Sequence, residues 1–360
     1  MADSAPERIL LVRLGALGDI VHAIPVAAAL RRAFPSARID WLVSAKHREI
    51  LDLVPVIDRR LVINDRPSAS VRRDEPRGEV DGGTSLLQAI GELRRARYDV
   101  AIDLQGLIKS AVLARASGAA RVVGFAASYV RERLARIFYT DVYDPGSRGV
   151  RDHAETRHIV DINLGLLAPL GITTTAAEFP IERVSSTVAH TVGEQTGGRY
   201  ALLNPGAAWP NKRWPPARFG AVARALRERH GLTSAVLWGP REEPLAREVV
   251  AASDGAAVLA PQTTIADLVA LGRGAALIVS GDTGPTHIAA AVGTPIVSLF
   301  GPTRPQRNGP WSPQDVAVSR DTICQCHHLR RCTKPSMCLL DIQVDEVLRA
   351  IDRRLAGERR

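Results

Sequence analysis

Aromatic residues are scarce in this sequence: Phe, Trp and Tyr together account for 4% of its 360 positions. Its cores must therefore be built from aliphatic side chains and alanine. No apolar run approaches the roughly 20 residues needed to cross a bilayer. Cysteine is confined to one short stretch, Cys324, Cys326, Cys332 and Cys338, whereas a disulfide-stapled secreted domain would scatter it. The opening MADSAPERILLVRLGALGD has a short apolar stretch, an acidic turn and no cleavage pattern, so it does not read as a signal peptide and a cytoplasmic location is expected. The formal net charge is +9, yet the basic residues form no dense stripe and have no aromatic interleaving. Nucleic-acid binding is therefore not expected. The surplus, mostly arginine, fits an anionic partner or an arginine-favouring base composition.

With 46% apolar and 24% charged residues, the composition is that of a globular protein, and the length suits two domains. RILLVRLGALGDIVHAIPVAAALRRAF reads as strand, glycine-rich turn and helix, with Ile9–Val12 apolar on both faces as in a buried parallel strand. RIDWLVSA and RLVIND follow as strands. YDVAIDLQGLIKSAVLARAS repeats the first pattern, with a strand over Val100–Leu104 and a helix from Leu107. The polar stretch DRPSASVRRDEPRGEVDGGTS, 65–85, reads as a long loop, functional or inserted. A second βα series starts at RYALLNPGAAWPNKRWPPARFGAVARAL, and the polar segment 181–198 before it is read as the linker. The last helix, Val344–Leu355, carries an apolar stripe at Val344, Val347, Leu348, Ile351 and Leu355. Such alternation predicts parallel sheets of Rossmann type, which bind ligands beyond the carboxyl ends of their strands. The expected site is therefore the cleft between the two halves.

Three turns carry chemistry. SGDTGPTHIAAAVGTPIVSLFGPT, 280–303, is expected to run from a strand ending at Ser280 into a helix from His287. Asp282 and Thr283 there can cap free N–H groups, Gly284 permits close backbone approach, and such a helix start holds pyrophosphate. In GALGD, Asp19 is either an N-cap or a general base that takes a proton from an attacking hydroxyl, with His22 one helical turn later. In NPGAAWPNKRWP, Lys212 offers a compact charge to a departing nucleoside diphosphate. In WGPREEP, Glu242 or Glu243 either grips ribose hydroxyls or simply begins a solvated helix.

VRLGALGDIVHAIP, NPGAAWPNKRWP, WGPREE and the 280–303 stretch, in this order, resemble glycosyltransferase family 9, the heptosyltransferases of lipopolysaccharide core assembly. YDVAIDLQGLIKSA and RERLARIFY resemble its type I branch, which adds the first heptose to Kdo. The resemblance covers nearly the whole chain. It implies an α/β GT-B fold, two Rossmann-like domains with parallel sheets facing across a cleft. The expected division is an acceptor domain over 1–180, a nucleotide-sugar domain over 181–343, and a C-terminal helix, 344–360, packed back on the first domain. It implies an ADP-heptose donor, a Kdo-lipid A acceptor at the inner face of the inner membrane, and inversion with no required cofactor. Asp19 matches the proposed base. Lys212, Glu242, Asp282, Thr283, Gly284, Thr286 and His287 match the donor side. Gly18, His22, Lys109 and Arg131 fall on the acceptor side, with Arg66 a looser match.

Two features depart from the pattern. Ala207 and Ala208 stand where some relatives have hydroxyl residues, so phosphate contacts there would fall to backbone N–H groups. CQCHHLRRCTKPSMC is an addition. Its four cysteines, with His327 and His328, form either a structural zinc site or a set of reduced or locally disulfide-bonded thiols. The competing functions are another family 9 transferase acting on a different sugar or acceptor, a sugar-nucleotide epimerase or hydrolase, and a nucleotide-binding module without transfer.

Overall fold

The computed structural model describes residues 5–64, 84–146, 149, 152, 155–324, 329–330, 332 and 337–357. Arg66, Cys326, His327 and His328 lie outside the described residues. The chain forms two compact units, Met1–Glu182 and Arg183–Arg360, dividing two residues beyond the boundary expected from the sequence.

The first unit runs β1 (Arg8–Val12), α1 (Leu17–Val21), α2 (Ile24–Ala33), β2 (Arg38–Ser44), β3 (Arg59–Ile63), α3 (Leu86–Ala96), β4 (Val100–Asp103), α4 (Ile108–Ala116), β5 (Arg121–Phe125), β6 (Asp141–Tyr143) and α5 (Ile159–Gly165). Its six strands lie in the order β3-β2-β1-β4-β5-β6, all pairs parallel. Ile9, Leu10, Leu11 and Val12 are fully buried, as a strand covered on both faces requires. The single helix expected after the glycine-rich turn is two. Pro25, which lacks an N–H, sits at the start of α2, where that donor is not needed.

The second unit runs α6 (Thr187–Thr196), β7 (Tyr200–Asn204), α7 (Pro216–His230), β8 (Thr233–Val236), α8 (Glu243–Ala251), β9 (Ala257–Leu259), α9 (Ile265–Gly274), β10 (Leu277–Gly281), α10 (Gly284–Ala291), β11 (Ile296–Phe300), α11 (Pro305–Asn308), β12 (Val316–Ser319) and α12 (Val344–Ala356). Strand order is β12-β11-β10-β7-β8-β9, again parallel throughout. Counted from its own first strand, this is the same order as in the first unit. The segment read as linker contains α6, whose start Ser186 caps by accepting the Ala189 N–H at 2.9 Å.

The expected packing of 344–360 on the first unit is corrected. The apolar stripe of α12 enters the second unit's own core: Val347, Leu348, Ile351 and Leu355 join Trp214, Phe219 and Leu339 in one cluster. Arg354 adds a buried ion pair with Asp315 at 2.7 Å, and the same Asp315 oxygen accepts the Ile296 N–H at the start of β11. Trp214, just before α7, donates to the Ile342 carbonyl at 3.0 Å, and Arg218 of α7 donates to the same carbonyl at 2.6 Å, which ties the approach to α12 onto α7. The stripe is thus consumed by β11, β12 and α7. Ile351, 1% exposed, should cost about 2–5 kcal/mol of second-unit stability as Ile351→Ala, read as a lower urea midpoint with an unchanged m-value.

Candidate functional site

In each unit the polar residues gather where the strand order reverses, beyond the carboxyl ends of the two central strands. In the first unit these are β1 and β4. The turn after β1 holds Asp19 at the third position of α1. Asp19 is not the N-cap, which is Ala16, but its Oδ2 reaches back to accept the Ala16 N–H at 3.2 Å. The same Oδ2 lies 2.6 Å from the Arg13 guanidinium and 3.4 Å from that of Arg131. Every contact of this carboxylate falls on Oδ2; among the described residues no protein group donates to Oδ1. Burial opposes the charge on Asp19, but Arg13 and then Arg131 outweigh it and hold the carboxyl well below the usual range.

The arginines are positioned by the turn after β4. Arg13 donates to the Leu104 carbonyl, and the Leu14 N–H donates to Gln105 Oε1 at 2.7 Å. The Gly106 carbonyl accepts the N–H groups of Arg131 and Glu132 at 3.0 and 3.2 Å. Gly106 has φ +69°, and a Cβ there would lie 3.1 Å from the Val130 backbone. Beneath it, the buried Asp103 accepts from Ser110 and Tyr139 hydroxyls at 2.9 and 2.6 Å and from the Gln105 N–H at 2.9 Å. Burial raises the pKa of Asp103 in spite of these bonds.

Of the residues expected on the acceptor side, Arg131 is beside Asp19, with its side chain 56% exposed. Lys109 is half-buried in the first turn of α4. Gly18 lies within α1, where its carbonyl accepts the His22 N–H. The His22 ring is buried and packs edge-on against His158, with centroids 5.5 Å apart. That makes it a core histidine which contributes to the low pKa of Asp19.

The second unit's reversal lies between β7 and β10. Asp282 leaves β10 and is nearly saturated with partners. Its Oδ2 meets Lys212 Nζ at 2.6 Å and accepts from the Thr303 hydroxyl at 2.7 Å, while Oδ1 faces His287 Nε2 at 3.1 Å. Burial opposes ionisation, but His287 and Lys212 prevail and the carboxyl titrates far below its ordinary value. A carboxylate so engaged has little capacity left for a ligand, so the geometry makes Asp282 the group that aims Lys212 and His287. Lys212 ends a short 3₁₀ turn, and its ammonium also lies 4.6 Å from the Trp209 ring centroid. Gly281 approaches that turn closely; a Cβ on it would stand 3.1 Å from the Lys212 carbonyl oxygen.

The helix expected from His287 begins three residues earlier, at Gly284, with Thr283 as N-cap and no side-chain cap bond. The capping expected of Asp282 and Thr283 is therefore corrected. The Thr283 hydroxyl instead accepts from Asn204 at 2.9 Å, within a cluster that includes Ser280 and Thr286. Thr286 is buried, and its hydroxyl donates to the Gly281 carbonyl at 2.5 Å, which fastens α10 to β10. At the start of α10, Pro285 has no N–H and the Thr286 and His287 N–H groups bond the Thr283 carbonyl at 3.1 and 3.3 Å, which leaves the Gly284 N–H as the donor of the first turn.

The two glutamates differ in their partners. Glu242 turns into the loop, with Oε1 3.3 Å from Arg213 and Oε2 accepting the Gly239 N–H at 3.2 Å. Gly206 lies against it, since a Cβ there would fall 2.1 Å from Oε2. Glu243 instead pairs with Arg247 one helical turn on. Sequence reasoning missed Arg13, Thr303 and Arg213. The signal for Arg13 was a lone charge ending an apolar strand; Thr303 closes a stretch already singled out. In the cysteine segment Cys324 is buried and Cys332 and Cys338 are half-buried. No metal-holding group of three or more ligating side chains occurs among the described residues.

Residues 86–337 match the family described as Glycosyltransferase family 9 (heptosyltransferase). The chain belongs to glycosyltransferase family 9. It is 31% identical over 336 residues to lipopolysaccharide heptosyltransferase 1 of Pseudomonas aeruginosa, a match covering 91% of this chain and 87% of that protein. To the enzyme of the same name from Salmonella typhimurium it is 27% identical, covering 86% and 93%. Among solved structures, a family 9 glycosyl transferase from Veillonella parvula superposes with a TM-score of 0.76 at 23% identity, covering 98% and 97%. E. coli heptosyltransferase WaaC with ADP superposes with a TM-score of 0.72 at 22% identity, covering 96% and 99%. These structural likenesses establish the GT-B fold, and family membership makes the protein a glycosyltransferase. Among the described residues no helix is long and apolar enough to cross a membrane.

Gly106→Ala should lose about 1–3 kcal/mol through its left-handed φ and its contact with Val130. Urea unfolding measures that loss. A displaced Arg131 should also release Asp19 toward an ordinary carboxyl pKa, visible by NMR titration.

Proposed function

We propose that this glycosyltransferase moves heptose from ADP-L-glycero-D-manno-heptose to Kdo of a Kdo-lipid A acceptor, the first heptose transfer of the lipopolysaccharide inner core. The observation that carries the reading is the Asp19 carboxylate, held ionised through Oδ2 with Oδ1 left for a proton. The names of the P. aeruginosa and S. typhimurium relatives support the donor and the pathway. A solved E. coli heptosyltransferase complex with ADP-2-deoxy-2-fluoro heptose supports the nucleotide sugar.

In this reading the second unit binds the donor. Its pyrophosphate lies at the backbone of the α10 start and at Lys212, and Glu242 meets the ribose hydroxyls as a two-oxygen acceptor. Arg131 and Lys109 meet the anionic Kdo. Asp19 Oδ1 accepts the proton of the attacking Kdo hydroxyl, and the hydroxyl oxygen bonds to the anomeric carbon from the face opposite ADP. The anomeric C–O bond to ADP breaks, its electron pair leaves with the diphosphate, and the configuration inverts. A carboxylate of such low pKa is a weak base, so proton transfer comes late, once C–O bond formation has acidified the hydroxyl. Lys212 and the helix start stabilise the charge on the departing ADP, so we propose that no metal cofactor is required. The work takes place on a lipid-borne acceptor at the inner face of the inner membrane.

A coupled ADP-release assay tests this directly: release should require both ADP-heptose and Kdo-lipid A and should survive chelation by EDTA. Release only with an already heptosylated acceptor would move the protein to a later core step. Release without any acceptor would make it a hydrolase. Asp19→Asn should lower kcat by about 10²–10⁴-fold while ADP affinity stays within error, and a loss of ADP binding would put Asp19 on the donor. The acid limb of kcat should lie below the ordinary carboxylate range. Arg131→Ala, at saturating acceptor, should move that limb upward, because Arg131 favours the ionised form.

A further inference from the structure

Leu134 and Ile137 are 64% and 70% exposed, two of the seven large apolar residues exposed among the described residues. Both lie on the 3₁₀ helix Arg133–Phe138. Three residues per turn place side chains i and i+3 in line, so this short helix has three distinct edges. Ala135 is fully buried and faces inward with the half-buried Phe138. Leu134 and Ile137 form an apolar outer edge, and Arg133 and Arg136 form a basic edge beside it. Neither arginine has an ion-pair partner among the described residues. The adjoining α4 packs against this helix and brings Lys109 and the 37% exposed Ile108. Glu132, the acid beside the patch, accepts the Ile108 N–H at 2.6 Å.

We propose that this edge is the protein's docking surface for an anionic phospholipid membrane, with Leu134 and Ile137 entering the acyl boundary and Arg133 and Arg136 meeting the headgroup phosphates. Apolar insertion and a basic cluster are the two signals that together give stable yet reversible attachment. Charge favours this occupant: Arg131, Arg133, Arg136 and Lys109 give a local excess of one sign, unsuited to a second copy of the same surface. The position favours it as well. Arg131, which flanks Asp19, is three residues from Leu134, so a docked helix holds the carboxylate turn at the level where a lipid-borne sugar would lie. The inference rests on the reading that the acceptor is carried by a lipid.

Vesicle co-sedimentation of the full chain tests it with neither donor nor acceptor present, so failed heptose transfer and failed docking remain separate results. The protein should bind phosphatidylethanolamine/phosphatidylglycerol vesicles, bind phosphatidylcholine vesicles far less, and be released by salt. Leu134→Ser with Ile137→Ser should weaken binding roughly tenfold or more, and Arg133→Gln with Arg136→Gln should do so comparably. Leu87→Ser, at a residue 82% exposed outside the patch, should change nothing. Circular dichroism and Tm should stay at wild-type values in the serine variant. Undiminished vesicle binding by that variant, equal binding to neutral vesicles, or a wild-type dimer that the serine substitutions dissociate would each overturn the proposal.

Discussion

A strand buried on both faces can offer polar side chains to a ligand only at its ends, and this constraint governs where chemistry can occur in the molecule. β1 and β10 are fully covered along most of their length, so their first usable polar positions are the residues that emerge at the carboxyl edge. Because all strands of a sheet run one way, those edges coincide, and the reversal in strand order opens a gap there into which two turns project. Asp19 and the Gln105–Gly106 turn share one such gap, and Lys212 and Asp282 share the other. The repeated strand order in the two units means that this arrangement was built twice from different residues.

The two carboxylates at those edges obey the same electrostatics to opposite ends. Both are partly desolvated, which alone would favour the neutral acid, and both are kept ionised by cations within a few ångströms. In Asp282 the partners occupy both oxygens and the group becomes a brace for Lys212 and His287. In Asp19 they crowd onto one oxygen. That asymmetry comes from the backbone: Ala16, Arg13 and Arg131 all approach from the side of the turn, and Gly106 allows Arg131 to come near because no Cβ stands between it and Val130. A carboxylate fixed on one side and open on the other is suited to directional proton transfer.

Much of this was legible in the sequence. Doubled apolar periodicity announced parallel strands, and the glycine-rich turns marked the edges where polar residues collect. Asp19, Lys212 and Asp282 stood out by type and context, and Arg131 through the family resemblance. Less legible were pairings across long sequence distances. Arg13 meets Asp19 after a turn, but its approach depends on Leu104, far along the chain, and Thr303 meets Asp282 only because β11 lies beside β10. The inward turn of the Thr283 and Thr286 hydroxyls also escaped a sequence reading, since a threonine before a helix is ordinarily a cap. The α6 helix was hidden by its polarity, with Val192 and Thr196 its only buried residues. The destination of α12 was open because an amphipathic stripe specifies an apolar partner without saying which sheet supplies it.

The position of Lys212 over Trp209, 4.6 Å from the ring centroid, gives the second unit a built-in optical gauge. An ammonium held against an indole perturbs its excited state, and most of that perturbation is electrostatic. The buried Trp41 and Trp214 are each fastened by an N–H bond to a backbone carbonyl, so their surroundings stay constant. An anion that draws the ammonium off the half-buried Trp209 will change the emission of that ring, and because the half-buried Trp238 and Trp311 of the same unit also emit, the Trp209 part is the part lost in Trp209→Phe. The ammonium and the chromophore beside it are three residues apart, so a ligand that moves Lys212 can be followed in the unlabelled protein.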